Sequence, residues 1–294
     1  MTPQSVCAVI VTYGPACTVL DHISKILQQV QALVVVDNGS SDHELGRLRV
    51  ASPTFGFHLI ENGENLGIAE ALNQGVRWAK SQHYPWIILF DQDSGITDGF
   101  IDQMFQALRT HSDWERVASI HPRYVDPKMV EAPVPRADDA SPVFPMTSGT
   151  LMPVWIFDEI GWFASEYFID VVDWEYSFRI RTRGFLVADA REAKLLHSPG
   201  NPTMINILGR TIRYSQHNAV RRYYISRNCI AFYRKYLFCF PKWILKAVYK
   251  QLHEMVVCLI ADKDRACQFR SFLLGTWDGL IGRMGKRENL HQQS

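Results

Sequence analysis

Trp86-Ile87-Ile88-Leu89-Phe90-Asp91-Gln92-Asp93 runs five apolar residues straight into an acid pair. An apolar stretch of that length with no polar break reads as a strand buried on both faces, the usual state in a parallel sheet. The two carboxylates then fall at the carboxyl end of the strand, where open α/β sheets bind their ligands. Acids one residue apart repel each other unless a cation or a ligand hydroxyl accepts their charge. Hard ions such as Mg2+ and Mn2+ take carboxylate and phosphate oxygens. The motif points to a grip on a metal–diphosphate, with a solvated loop as the plainer alternative.

The chain before it repeats the same design. Residues 6–12 read as a strand, and Pro15 suits the first turn of a helix running to about residue 29, with Val19, Ile23, Ile26, Leu27 and Val30 as its stripe. A second strand, 32–36, ends at Asp37-Asn38-Gly39, and Ser41 with Glu44 forms a capping box for a short helix. A third strand spans 57–60 and an Ala-rich helix 68–81. After the acid pair, prolines 122, 127, 133, 135, 142 and 145 predict a long irregular loop, 155–161 and 173–183 read as helices, and 185–188 as a strand. From 215 to 285 the pattern is helical, broken at Pro241. This alternation predicts an α/β fold, a mostly parallel sheet flanked by helices, in a domain spanning 1–209, followed by a helical region spanning 210–294.

Composition narrows the function. Of 294 residues, 47% are apolar and 21% charged, and the net charge is +1, which excludes a generally basic nucleic-acid binder. The balance hides an asymmetry: residues 210–294 hold 16 Lys/Arg against 5 Asp/Glu, leaving 15 basic and 25 acidic side chains before them. A basic tail on an acidic body implies an anionic partner such as a membrane surface. The six cysteines show no C-x-x-C spacing and read as buried free thiols of a reducing compartment. The N-terminus lacks a basic run before its first strand, so no signal peptide is expected, and no uncharged apolar run approaches the ~18 residues of a spanning helix. The expected place is the cytoplasm or its membrane face.

Four further segments carry chemistry. Asp37 at a strand end can accept a base imide or a ribose hydroxyl, or simply close an Asx turn. Asn65-Leu66-Gly67 before a helix lets backbone N–H groups approach a phosphate or sugar, or Asn65 merely caps the helix. In Phe168-Ile169-Asp170-Val171-Val172-Asp173-Trp174-Glu175 three acids surround a helix start among apolar residues. There the helix dipole and burial act oppositely on a carboxylate, as a general base requires, although capping acids would look the same. His197, ahead of Ser198-Pro199-Gly200, is a candidate metal ligand or a structural histidine.

Together the segments resemble family 2 inverting glycosyltransferases of the nucleotide-sugar-binding GT-A fold. The likeness is carried by Val11-Thr12-Tyr13, Val36 to Ser40, Asn65-x-Gly67, Asn73-x-Gly75, Asp91-Gln92-Asp93, Thr147-Ser148-Gly149, Asp173-x-Glu175 and His197-x-x-Gly200. Leu89 to Ser94, Phe168 to Arg179 and Arg222-Tyr223-Tyr224-x-x-Arg227-Asn228 look most like bacterial rhamnosyltransferases of O-antigen or cell-wall polysaccharide assembly, a frame shared with galactofuranosyl and other sugar transferases. The resemblance implies that Thr12 and Asp37 hold the base, with Tyr13, Asn65, Gly67 and Gln92 also on the donor. It places Asp91 at the ribose and Asp93 with His197 on an Mg2+ or Mn2+ ion. Asp173 would be the base, and Ser148, Gly149, Asp170 and Glu175 would contact the acceptor or sugar. The family often has an acid at the position of Val172, so Asp173 stands alone as base at that point. The implied donor is dTDP-L-rhamnose and the implied acceptor a lipid-linked glycan.

In the tail, Arg221, Arg222, Arg227, Arg234, Lys235, Lys242, Lys246 and Lys250 interleave with Tyr223, Tyr224, Phe232, Tyr233, Tyr236, Phe238, Phe240 and Trp243. Such a mixture suits an anionic leaflet and predicts peripheral, salt-sensitive attachment to the inner face of the bacterial plasma membrane; packing on the body is the alternative. Three other functions compete. A haloacid-dehalogenase-type phosphatase also ends a strand in D-x-D, but there the motif closes the first strand, and Asp37 and Asn65 would be idle. A nucleotidyltransferase opens with a Gly-rich basic loop, which Tyr13-Gly14-Pro15-Ala16 is not. A non-catalytic nucleotide-binding module leaves four acids and a histidine unexplained.

Overall fold

The computed structural model describes residues 6–125, 146–196, 203–207, 210–214, 217–262 and 264–287. His197 and most of the proline-rich stretch lie outside them. The chain divides into two compact units, one of residues 1–165 with 176–198 and the other of 166–175 with 199–294. The acid cluster at 166–175 thus belongs with the C-terminal unit, across the boundary that the sequence reading draws at 209.

The first unit is built on an eight-stranded sheet. Its parallel half is β1 (Val6–Thr12), β2 (Ala32–Asp37), β3 (His58–Glu61) and β4 (Trp86–Asp91), ordered β3-β2-β1-β4. Between these strands run α1 (Val19–Leu27), α2 (Asp42–Phe55) and α3 (Ile68–Ser81). The unbroken apolar runs have their reason in two-sided burial. Ala8, Ile10, Val35, Ile88 and Phe90 share a core with Val19, Ile23 and Ile26 of α1. On the other face α3 approaches so closely that a Cβ on Gly75 would lie 2.3 Å from a methyl of Val9. Helix α1 starts at Val19 and not at Pro15, because the chain first turns through residues 16–18. The capping box forms as expected, Ser41 accepting from the Glu44 amide, but it opens a helix of 14 residues that carries Pro53 inside.

The other half of the sheet is mixed. β5 (Gly95–Ile96) leads into α4 (Phe100–Thr110), then β6 (Val117–Val125), β7 (Leu151–Pro153), α5 (Ile156–Ile160), α6 (Val172–Thr182) and β8 (Leu186–Leu196). β7 runs antiparallel between β4 and β6, and β5 pairs antiparallel with the end of β8. α4 has a legible stripe of Phe100, Ile101, Met104, Phe105 and Leu108, all buried, where the sequence reading assigns no element. β6 takes in Pro122, which that reading places in a loop.

The second unit holds an antiparallel pair, β9 (Thr203–Ile207) and β10 (Arg210–Tyr214), and three helices, α7 (Ala219–Tyr236), α8 (Pro241–Ala261) and α9 (Arg265–Ile281). The break at Pro241 is where Pro at a first helical position places it. All six cysteines are free, but only Cys7, Cys229 and Cys258 are buried; Cys17 and Cys239 are exposed.

His121 on β6 is fully enclosed, its Nδ1 2.9 Å from Thr150 Oγ1 and its Nε2 3.1 Å from Ser119 Oγ. Burial, seconded by the charge of Arg181, pushes its pKa down to about 3. The fold therefore holds a neutral imidazole that the unfolded chain protonates below about pH 6.5. Stability is lost as pH falls from there toward 3, by about 2 kcal/mol between pH 7 and 5 from this group. Denaturant titrations at the two pH values are expected to show that loss, and His121→Gln to reduce it.

Candidate active site

The carboxyl ends of β1, β2 and β4 form one edge. Thr12 stands opposite Asp37 and Val11 opposite Asp91 in register, so the candidate residues of three strands sit side by side. β1 lies between β2 and β4, the point where strand order reverses and a crevice opens for a ligand. Gln92 spans it: its Oε1 accepts from the Tyr13 amide at 2.8 Å and its Nε2 donates to the Tyr13 carbonyl at 3.3 Å. This side chain, expected on the nucleotide, clasps the loop after β1 to the loop after β4 and leaves the Tyr13 ring exposed.

Asp37 is completely buried and makes the Asx turn that is its plainer reading. One carboxylate oxygen accepts from the Gly39 and Ser40 amides at 3.2 and 3.0 Å, the other from Thr12 Oγ1 at 3.1 Å and from Ser40 Oγ. Gly39 is obligatory there, with φ +91° and the Glu64 backbone 2.5 Å from where a Cβ would stand. Asn38, absent from the expected site, anchors the next loop: its Nδ2 donates to Asn65 Oδ1 (3.1 Å), while its Oδ1 accepts from Asn62 Nδ2 (3.1 Å) and the Leu66 amide (3.0 Å). Asn65 also accepts from the Gly67 amide at 2.9 Å, and Gly67, at φ 88°, is the N-cap of α3.

The acid pair is braced from behind. The Asp91 amide donates to Ser148 Oγ at 3.1 Å, the Ser94 amide to the Asp91 carbonyl at 3.2 Å, and the Ser94 and Ser148 hydroxyls are 2.7 Å apart. Ser148 is buried, and the Gly149 amide donates to the Leu89 carbonyl at 2.6 Å with Pro122 against the glycine face. Both residues, expected at the sugar, instead set the turn that presents the carboxylates. Asp91 is half-buried and Asp93 exposed. His22 of α1 lies against Gly95; burial and Lys25 hold its imidazole below its usual pKa, with Asp21 and Asp93 pulling the other way. Among the described residues no group of three or more His, Cys, Asp or Glu is placed to hold a metal. The proposed histidine ligand, His197, lies outside them.

In the second unit the acid cluster is sorted by long-range partners. Asp170 is gripped by Arg221, whose Nη2 reaches one carboxylate oxygen at 2.9 Å and whose Nε lies 3.2 Å from both. Glu175 is wholly buried and accepts from Lys235 Nζ at 2.6 Å and Tyr236 Oη at 3.0 Å. A carboxylate so enclosed is out of an acceptor's reach, which corrects its expected role: it anchors α6 to α7. Asp173 is half-buried in the first turn of α6, one oxygen accepting from the Trp174 amide at 2.9 Å.

This cluster rests on a contorted loop. Phe168, Asp170 and Val171 have φ of 64°, 62° and 67°, rare for non-glycine residues and most of all for β-branched Val171. Two buried residues of α7 hold it. Asn228 Nδ2 lies 2.8, 2.6 and 3.2 Å from the carbonyl oxygens of Tyr167, Ile169 and Asp170, and Arg227 Nη2 donates to those of Tyr167 and Glu166 at 3.1 and 3.3 Å. The Phe168 ring stacks on Tyr224 with centroids 5.0 Å apart. Much of the basic, aromatic sequence of α7 is thus interior: Arg222, Tyr223, Tyr224, Arg227, Phe232, Tyr233 and Tyr236 are buried and face no lipid headgroup.

The family description "Glycosyl transferase family 2" matches residues 7–127, the stretch that carries β1 to β6 and the acid pair. The chain is also 29% identical to the dTDP-rhamnosyl transferase RfbF of Shigella flexneri, over 96% of this chain and 97% of that one. The chain is a glycosyltransferase that carries a family 2 domain. Among solved structures, the mannosyltransferase PcManGT of Pyrobaculum calidifontis, in complex with GDP-Man and Mn2+, shares the fold with a TM-score of 0.57 at 14% identity, over 96% of this chain and 89% of that one. The mixed sheet, the flanking helices and the helical C-terminal region of this glycosyltransferase agree with the architecture expected from its motifs. Asn38, Gln92, Ser94, Arg227 and Asn228 all lie within its motifs, but their supporting hydrogen bonds, three residues in the first unit and two in the second, are not legible there.

Proposed function

We propose that the enzyme transfers L-rhamnose from dTDP-L-rhamnose, with inversion, to a hydroxyl of a lipid-linked glycan acceptor in bacterial polysaccharide assembly. The observation that carries this reading is the Shigella dTDP-rhamnosyl transferase, whose likeness runs through nearly the whole of both chains, C-terminal region included. Tyr13, exposed, serves the base at an edge that the buried Thr12–Asp37 pair shapes, and Asp91 serves the ribose. Asp91 and Asp93 offer the hard oxygen donors that Mg2+ or Mn2+ prefers, so the described residues fit such an ion. His197 directly follows Leu196, whose partner in β5 is Gly95, two residues from Asp93, and this supports His197 beside Asp93 on the metal. When bound, the ion supplies Lewis-acid stabilisation of the departing diphosphate. Asp173 takes the proton from the acceptor hydroxyl while its oxygen bonds to the anomeric carbon and the bond from that carbon to the diphosphate breaks.

The test is an incubation of the full chain with dTDP-rhamnose, Mg2+ or Mn2+, and a lipid-linked or synthetic glycan. Release of dTDP matched by glycan extension is expected, abolished by EDTA and restored by excess ion. Preference for a UDP-sugar would assign another sugar, and hydrolysis of small phosphoesters in place of transfer would overturn the reading.

A further inference from the structure

Helix α9 is inside out. Its buried side is Gln268, Ser271, Gly275, Asp278 and Gly279, whereas Phe269, Leu273, Trp277, Leu280 and Ile281 are 41–61% exposed. The small residues are there because α7 comes very near: a Cβ on Gly275 would stand 2.3 Å from the Tyr223 carbonyl oxygen, and one on Gly279 2.5 Å from that of Arg227. The close seam with α7 uses up the polar side and turns the apolar side outward. Helix α8 adds a second stripe, with Leu245, Tyr249, Leu252, Val256 and Ile260 exposed at spacings of four, three, four and four residues. At 100° per residue these five fall within one arc of about 80°. Exposed Lys242 stands at one edge of the arc, and exposed Lys246 and Lys250 step away from that edge by about 40° and 80°.

The two helices pack against each other, and a monomer in water rarely leaves ten large apolar side chains exposed on an adjacent helix pair. We infer that the apolar face of α8 and α9 inserts into the interfacial layer of an anionic lipid bilayer, both helices lying in the membrane plane. The charge decides between lipid and protein. Pairing the face with a copy of itself would gather the lysines of both chains at one interface, where like charges repel, whereas an anionic headgroup layer neutralises them. The residue types agree, since Tyr249 and Trp277 have the apolar body and polar tip that favour that layer. Among the described residues no helix is long and apolar enough to cross a membrane, which leaves these two lying on it. Attachment is then chiefly apolar, unlike the salt-sensitive binding that charge alone predicts. The inference does not depend on which sugar is transferred.

Flotation of the full chain with vesicles tests it. Binding is expected to phosphatidylcholine vesicles containing a minority of phosphatidylglycerol, and to persist in about 1 M NaCl, where screening reduces the Debye length to about 3 Å. The variant Tyr249→Gln/Leu273→Gln/Trp277→Gln changes only exposed side chains, so it should keep its melting temperature and lose at least about tenfold in partitioning. A second variant, Lys242→Glu/Lys246→Glu/Lys250→Glu, should lose the preference for anionic over neutral vesicles. No flotation, complete release by salt, or unchanged binding of the first variant would overturn the inference. So would a stable dimer that the first variant dissociates while no form floats, because the face would then cover a second copy.

Discussion

Replacing Asp173 with Asn is expected to lower kcat by at least about 10²-fold while leaving the affinity for dTDP within a few-fold of the original, as loss of a general base does. An inverting transfer needs a proton acceptor on the side of the sugar opposite the leaving diphosphate, within about 2.6–3.2 Å of the attacking oxygen. On the proposed reading Asp91 and Asp93 serve the donor at the sheet edge, and the base comes from the second acid cluster. There the neighbours of Asp173 have structural work. Asp170 is committed to Arg221 at 2.9 Å, and Glu175 is buried against Lys235 and Tyr236. Asparagine keeps the shape and the acceptor for the Trp174 amide, so the helix start survives and the loss reads chemistry. Glu175→Gln supplies the contrast: it should lower thermal stability far more than it lowers turnover per folded molecule. An Asp173→Asn enzyme that keeps more than about a tenth of its rate, against that 10²-fold minimum, would hand the role to another group.

What the sequence discloses follows from the range of the interactions. Period and burial are local, so β1 and α3 are legible to the residue, and the ends of β2 and β4 to within one. β7 is three residues long and exists only because β4 and β6 flank it, a circumstance no window of sequence contains. The acids at strand ends are legible for the same local reason, whereas their division of labour is not. Asp170 meets a partner 51 residues away and Glu175 one 60 residues away, so three acids that look alike in sequence become two anchors and one candidate base. The tail misleads in the opposite sense. Its helical period is plain, but the rule that apolar faces turn inward fails for α9, where glycine and serine make the seam with α7.

Asn228→Ala is expected to reduce kcat by about 10- to 100-fold without touching any ligand, since a displacement of about 1 Å at a reacting group costs on that order. The segment ahead of Asp173 holds three non-glycine residues in the left-handed region, each costing about 1–3 kcal/mol, and such strain persists only where surrounding contacts over-determine it. One amide nitrogen of Asn228 serves three of that segment's carbonyls, while Arg221 of the same helix holds the Asp170 carboxylate. Alanine removes the donor to the Ile169 and Asp170 carbonyls, while that of Tyr167 keeps Arg227, which favours relaxation of Phe168, Asp170 and Val171 toward ordinary φ and shifts the start of α6. The dTDP affinity should stay unchanged, and amide hydrogen exchange over residues 168–172 should rise. Those two readouts separate positioning from simple unfolding, which would weaken dTDP binding as well. Unchanged turnover in Asn228→Ala, alongside an inactive Asp173→Asn, would mean that the base keeps its place without the strained loop.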